Sequence, residues 1–255
     1  MSRFLAAILL IAAALLGIWK LYRYTHPVYA PLPPREEITL TIIPGWDLRD
    51  VAAYLVMRGV VSSTGDVYAV TGVPGKDINS AEGSLAPETI RFFKGAPVKE
   101  VIKAFYDVRV KQLTQETRAE MERRRITYLE LLTMASIVEK ETKRDEDRAK
   151  VADILWRRKM KNWALQVDSS VHYATGKNGD VFTTDRERAV DSPWNTYKYS
   201  GLPPGPICMP SIESIQAALY PEKNEYWYFL SGNDGQMRYA KTLEEHNLNR
   251  MKYLR

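Results

Sequence analysis

From Phe4 to Trp19 no side chain is charged, and Lys20, Tyr22, Arg23 and Tyr24 close the run. A continuous apolar stretch of this kind predicts a membrane-spanning helix over residues 1–24, with Lys20 and Arg23 snorkelling and the tyrosines at headgroup level. A cleaved signal peptide is the rival, since Val28 and Ala30 form a small-residue pair. Pro31 follows at once and argues for a retained anchor. Pro27, Pro31, Pro33 and Pro34 then mark 25–36 as an extended linker.

The pattern changes at Ile38, where β-branched positions alternate as far as Ile43 and predict a strand. Pro44-Gly45 turns the chain, and Asp47 caps a helix whose Leu48, Val51, Ala52 and Leu55 share one face until Gly59. A short helix at Val67–Val70, a loop to Gly83 and a strand at Thr89–Phe93 complete a small α+β unit, 37–95. Pro97 opens the next helix. From 96 to 255 the chain is mainly helical. The stretch Thr114–Arg125 is charged and solvent-facing, and Thr127-Tyr128-Leu129-Glu130 is a capping box. It starts a helix apolar nearly all round through Leu131, Leu132, Met134, Ala135, Ile137 and Val138, which predicts a buried central helix. Another helix follows over Asp147–Met160. After Gln166 the pattern loosens into loops, with one strand at Trp227–Leu230. The fold class expected is α+β behind an N-terminal transmembrane helix, without internal repeats.

With 255 residues, 45% of them hydrophobic, the chain can bury a substantial core. A net charge of +5 is a mild bias that gives no footprint for nucleic acid. Cys208 is the only cysteine, which excludes an intramolecular disulfide. His26, His172 and His246 stand far apart, and neither HExxH nor CxxC occurs, so no metal site is expected. Gly72-Val73-Pro74-Gly75-Lys76-Asp77 lacks the spacing of a phosphate loop, and GxGxxG and GxSxG are absent, so no cofactor is expected either.

Chemistry concentrates where the apolar helix ends in Glu139-Lys140-Glu141-Thr142. Leu132, Ala135 and Ser136 lie on the face of Glu139, so its carboxyl is expected in an apolar setting that raises its pKa, as a general acid requires. Residue spacing alone leaves two alternatives open. Both glutamates could be the polar exit of a core helix, and Glu141 is as good a candidate as Glu139. Downstream, Asn195-Thr196-Tyr197 precedes the rigid Gly201-Leu202-Pro203-Pro204-Gly205-Pro206 run, a combination suited to lining a sugar cleft or to an ordinary stiffened connection.

These segments together resemble the MltG/YceG-like endolytic murein transglycosylases. The resemblance lies in Ala135-Ser136-Ile137-Val138-Glu139-Lys140-Glu141-Thr142, in Leu165-Gln166-Val167-Asp168-Ser169-Ser170 with Tyr173 and Gly176, and in Ser192-Pro193-Trp194-Asn195-Thr196-Tyr197 leading into Gly201–Ile207. Glu82-Gly83, Pro87-Glu88-Thr89, Tyr220-Pro221, Tyr226–Phe229 and Glu245-His246-Asn247 extend it over most of 38–250. It implies a YceG-like catalytic domain at 96–255 and a truncated LysM-like subdomain at 37–95. It also implies cleavage of the β-1,4 bond from N-acetylmuramic acid to N-acetylglucosamine inside glycan strands, leaving 1,6-anhydro ends. The first glutamate of the motif, Glu139, is then the acid and base.

Gln166, Asp168, Ser170, Asn195 and Tyr197 are expected in the cleft, with Ser170 or Tyr197 orienting Glu139 and Asn195 holding an acetamido group. His246 and Asn247 either join the site or brace the fold through backbone hydrogen bonds. The implied partners are peptidoglycan strands, membrane lipid through residues 4–24, and synthases or division proteins. The implied location is the cytoplasmic membrane, with the body on its periplasmic or extracellular side. A non-catalytic peptidoglycan-binding scaffold is the alternative. Departures from the family pattern are Ser169-Ser170 for Pro-Thr, Trp194 for Tyr, and Met209 and Ser211 for Asn and Gly.

Overall fold

The computed structural model describes residues 2–26, 35–77, 79–177 and 183–254. The prolines of the expected linker and the Val28–Ala30 pair lie outside the described residues. The chain divides into two compact units, Met1–Glu36 and Glu37–Arg255.

In the first unit, α1 (Ser2–Thr25) continues past Trp19 through Lys20 and Arg23. Its Phe4–Thr25 stretch has 22 residues and contains an 18-residue window of mean hydropathy 2.4, none of it buried. At 1.5 Å per residue this is about 33 Å, enough to cross a hydrocarbon core of about 30 Å.

In the second unit, β1 (Glu37–Thr41) pairs antiparallel with β2 (Thr89–Phe93), Leu40 opposite Ile90. Between them lie α2 (Leu48–Met57) and α3 (Thr64–Thr71). Asp47 caps α2 by accepting the Arg49 and Asp50 N–H groups at 2.8 and 3.0 Å, and the Asp50 carboxylate accepts the Asp47 N–H at 3.1 Å. A second box, Ser63 with Asp66, starts α3 three residues before Val67. Helix α4 (Val98–Gln112) completes a core of Leu40, Ile42, Leu48, Val51, Leu55, Val67, Leu85, Val101, Phe105 and Met209. Residues from beyond position 95 thus close the packing of the 37–95 segment.

Then come α5 (Gln115–Arg124), α6 (Tyr128–Glu141) and α7 (Asp145–Met160). Helix α6 is the buried central helix: every residue from Leu131 to Val138 is buried. It packs with Val151, Leu155 and Trp156 of α7 in a second core. Helix α7 begins two residues before Asp147 because Asp145 and Glu146 favour its positive N-terminus.

The expectation of loops after Gln166 is corrected by α8 (Asp168–Thr175), α9 (Asp185–Arg188), α10 (Ile212–Leu219) and α11 (Leu243–Tyr253). The hairpin of β3 (Tyr228–Ser231) and β4 (Met237–Ala240) is a further element. Helices α8 and α9 have eight residues or fewer, too short to print a 3.6-residue period on the sequence.

The Gly201–Ile207 run and its continuation tie the two cores together. The Ile207 N–H donates to Ser136 Oγ of α6 at 3.0 Å. Met209 exchanges backbone hydrogen bonds with the Gly45–Trp46 turn, at 2.9 and 2.7 Å. A Cβ on Gly83 would stand 2.5 Å from Pro206, so only glycine allows this approach. Arg109 of α4, fully buried, donates from Nη2 to the carbonyls of Leu85 and Pro210 at 3.1 and 2.5 Å. Arg109→Met keeps most of the stem volume but strands those carbonyls. It is expected to cost about 2–3 kcal/mol, read as a lower urea midpoint of the full chain in detergent.

Candidate active site

Glu139 and Glu141 stand on the last turn of α6, where the negative end of their own helix disfavours a carboxylate. Each is met by the N-terminus of another helix. Two positions apart on a helix is about 200°, so the two carboxyls leave α6 on opposite sides.

Glu139 turns toward the start of α10. Its Oε2 accepts the Ser211 N–H at 2.9 Å, the Ser211 hydroxyl at 2.5 Å and the Ser214 hydroxyl at 2.7 Å. Arg148 of α7 adds an ion pair at 2.8 Å, with both side chains nearly buried, and its guanidinium also reaches both serine hydroxyls. Arg148 Nε in turn donates to Asp145 at 3.0 Å. Burial on its own would raise the Glu139 pKa. The Ser211, Ser214 and Arg148 donors outweigh it and hold the carboxyl below the ordinary 4.5. The expectation of a raised pKa is therefore corrected: the apolar helix face is real, but the carboxyl reaches past it into a polar nest.

Glu141 turns the other way and caps α8, which has no side-chain cap of its own. Its Oε1 accepts the Ser169 hydroxyl at 2.6 Å. Here burial dominates and the charge of Asp168 adds to it, so against the Ser169 bonds the Glu141 pKa is raised.

The other expected cleft residues divide. Asp168, partly exposed at the start of α8, accepts the Tyr197 hydroxyl at 2.7 Å and a hydrogen bond from Thr183. Arg188 lies 3.7 Å from the same oxygen and over the Tyr197 ring. Burial, then the Asp168 bond, raises the Tyr197 pKa. Gln166 is exposed beside this group, in a left-handed conformation at φ 53°. Asp168 and Tyr197 lie next to Ser169 and Glu141.

Ser170 and Asn195 are not part of this group, and their expected roles are corrected. Both are fully buried. Ser170 Oγ bonds the Val167 carbonyl and Thr196 Oγ1, each at 2.8 Å. Asn195 Nδ2 donates to the carbonyls of Arg188 and Val190, and its Oδ1 accepts the Tyr197 N–H. With every polar atom engaged inside the fold, Asn195 has nothing left for an acetamido group. Neither Ser170 nor Tyr197 touches Glu139; Ser211, Ser214 and Arg148 do so instead. His246 stacks its ring on Tyr228, centroids 5.3 Å apart, and its buried Nδ1 has no hydrogen-bond partner among the described residues.

The residues around Glu139 that sequence reasoning missed carried a partial signal. Ser211 precedes Ile212, Ile215, Ala218 and Leu219, which is a helix start in miniature. Nothing in the sequence tied it to Glu139. A groove of about 500 Å³ lined by Tyr68, Asp77, Ser80, Ser84 and Tyr106 shares no residue with either carboxyl nest. Among the described residues no three His, Cys, Asp or Glu side chains are placed to hold a metal ion.

A buried helix delivering two glutamates into the N-termini of two others, with a glycine- and proline-rich strap across it, defines a class. The YceG-like family model matches residues 25–252, and the chain belongs to that family. It is 39% identical over 175 residues to the endolytic murein transglycosylase of Bacillus subtilis, covering 68% of this chain and 48% of that protein. It is 32% identical over 173 residues to the endolytic murein transglycosylase of Streptococcus pneumoniae, covering 66% and 31%. The chain thus spans half or less of the length of these relatives. A crystal structure of a yceG-like protein from Listeria monocytogenes superimposes with a TM-score of 0.70 at 34% identity, covering 82% of this chain and 74% of that one.

Proposed function

We propose that this chain is an endolytic murein transglycosylase, held by α1 in the cytoplasmic membrane with its body outside the cytoplasm. Its substrate is the peptidoglycan glycan strand, and the division into a small 37–95 subdomain and a 96–255 catalytic domain is part of the same reading. Synthases or division proteins would be its protein partners.

The observation that carries the reading is Glu139: a single carboxyl fixed through one oxygen, in a chain of this family whose relatives bear that name. As acid, Glu139 protonates the glycosidic oxygen while the bond to C1 of the muramic sugar breaks. As base, it then takes the proton of that sugar's C6 hydroxyl as the C6 oxygen bonds C1. The intramolecular nucleophile replaces the second carboxylate or positioned water of other glycosidases. The donors that hold Glu139 ionised suit the base step. For the acid step, a sugar docked over the carboxyl displaces its remaining water and so favours the protonated form.

The test is to digest purified glycan strands with the full chain in detergent and read the new ends by mass spectrometry. Anhydro-muramic ends are expected. Reducing muramic ends would make the enzyme a hydrolase, and uncut strands would turn the reading into a binding role.

A further inference from the structure

Four donors converge on Glu139, and all four end on Oε2: the Ser211 N–H, the Ser211 hydroxyl, the Ser214 hydroxyl and Arg148 Nη1. None of these bonds involves Oε1, and Oε1 is not among the buried polar atoms lacking a partner. The two oxygens are therefore unequal: Oε2 is locked into the fold, and Oε1 is left unbonded and not fully sealed from solvent in an otherwise nearly buried side chain. Ser211 supplies two of the four donors, and its hydroxyl oxygen also accepts the Ser214 N–H at 3.2 Å, which fixes the direction in which the hydroxyl donates.

We propose that Ser211 is a positioning residue that pins Oε2 of Glu139 and leaves Oε1 as the oxygen that exchanges protons with the substrate. This rests on the reading of Glu139 as acid and base. In the first step the Oε1–H bond breaks and its proton goes to the glycosidic oxygen. In the second, the C6 hydroxyl proton goes to Oε1, so the carboxyl ends as it began. Glycine at this position would keep the N–H and lose the hydroxyl. The hydroxyl thus adds to the hold that the N–H already has on Oε2.

The other charges around Glu139 stay in place when Ser211 is changed. Arg148 of α7, with Asp145 behind it, faces Oε2 directly. Arg109 of α4 and the Cys208 thiol lie within electrostatic reach. Lys140, on the same helix as Glu139, is turned away to the Gly45 carbonyl.

The experiment compares Ser211→Gly, Ser211→Ala and Ser211→Thr in the full chain in detergent. Release of anhydro ends is followed across the pH range, and the Glu139 carboxyl is titrated by carbon-13 NMR. Loss of one charge-assisted bond raises the carboxyl midpoint by about one pH unit in the glycine and alanine variants. Because the first step needs protonated Glu139, the alkaline limb of kcat/KM moves up with it. Maximal kcat falls about tenfold with KM little changed, as expected for loosened aim. The threonine variant, which keeps the hydroxyl, restores both.

Glycine is nearly as good as serine at a helix start, so its Tm moves little. If the glycine and alanine variants keep the wild-type midpoint and pH limb, the hydroxyl is only a helix cap and the proposal is overturned. A threonine variant that behaves like glycine overturns it as well. If wild type releases no anhydro ends, the acid–base reading fails, and the carbon-13 midpoint alone still decides whether Ser211 pins Oε2.

Discussion

Glu139→Gln is expected to lower kcat for anhydro-end release by about a thousandfold or more. Glutamine has the shape of glutamate, and its amide oxygen can still accept from Ser211, Ser214 and Arg148. It cannot give or take a proton. Both steps of the proposed reaction use this one carboxyl, so no second group takes over, and the loss reaches the upper range of acid–base effects. Substrate contacts away from the carboxyl persist, so KM changes by only a few fold. Glu141→Gln is the informative partner. Its amide oxygen still accepts the Ser169 hydroxyl at the start of α8, and the change removes the repulsion from Asp168. Activity within a few fold of wild type is expected there. Comparable collapse of both variants, at unchanged Tm, would take the reaction away from Glu139 alone.

The contrast between these two glutamates shows where the sequence was legible. The apolar periodicity of Leu131–Val138 and the Thr127–Glu130 box are local signals, and they marked the central helix within the bounds observed. The Asp47 cap and the face of Leu48, Val51, Ala52 and Leu55 were equally local. Helix α8 was not legible in this way, and α10 only partly, through the apolar positions that follow Ser211. Each is about two turns long, and the N-terminus of α8 is completed by Glu141 from α6, far away in sequence. The same non-locality misled the electrostatics of Glu139. Its neighbours along α6 are apolar, so a raised pKa followed, but the groups that set its charge come from α7 and α10. Ser170 and Asn195 failed for a related reason. A residue rich in hydrogen-bonding atoms looks the same in sequence whether those atoms face substrate or are consumed by backbone carbonyls.

Glu82 is a carboxyl whose effect on stability is expected to be large and to reverse sign with pH. Its Oε2 accepts the Leu48 N–H at the start of α2 and the Tyr173 hydroxyl, each at 3.1 Å, while Oε1 is buried without a partner. Burial, reinforced by the charge of Asp47, pushes the Glu82 pKa from 4.5 up to about 8. Below the unfolded value both states carry the proton. Between that value and about 8 the folded state keeps a proton that the unfolded state has released, so stability falls as pH rises. At about 1.4 kcal/mol per pH unit, the loss across this window is of the order of 5 kcal/mol.

Glu82→Gln removes the titration. Its amide oxygen serves Leu48 and Tyr173, but its NH2 group takes the unpartnered position at a cost of about 1–3 kcal/mol. The variant is therefore expected to be less stable than wild type near pH 5 and more stable near pH 9, with urea midpoints of the full chain in detergent crossing between. Other carboxyls contribute equally to both proteins, so the difference between the two curves isolates Glu82. Parallel curves would mean that Glu82 is ionised at its ordinary pKa and that the cluster with Asp47 and Tyr173 is open to water.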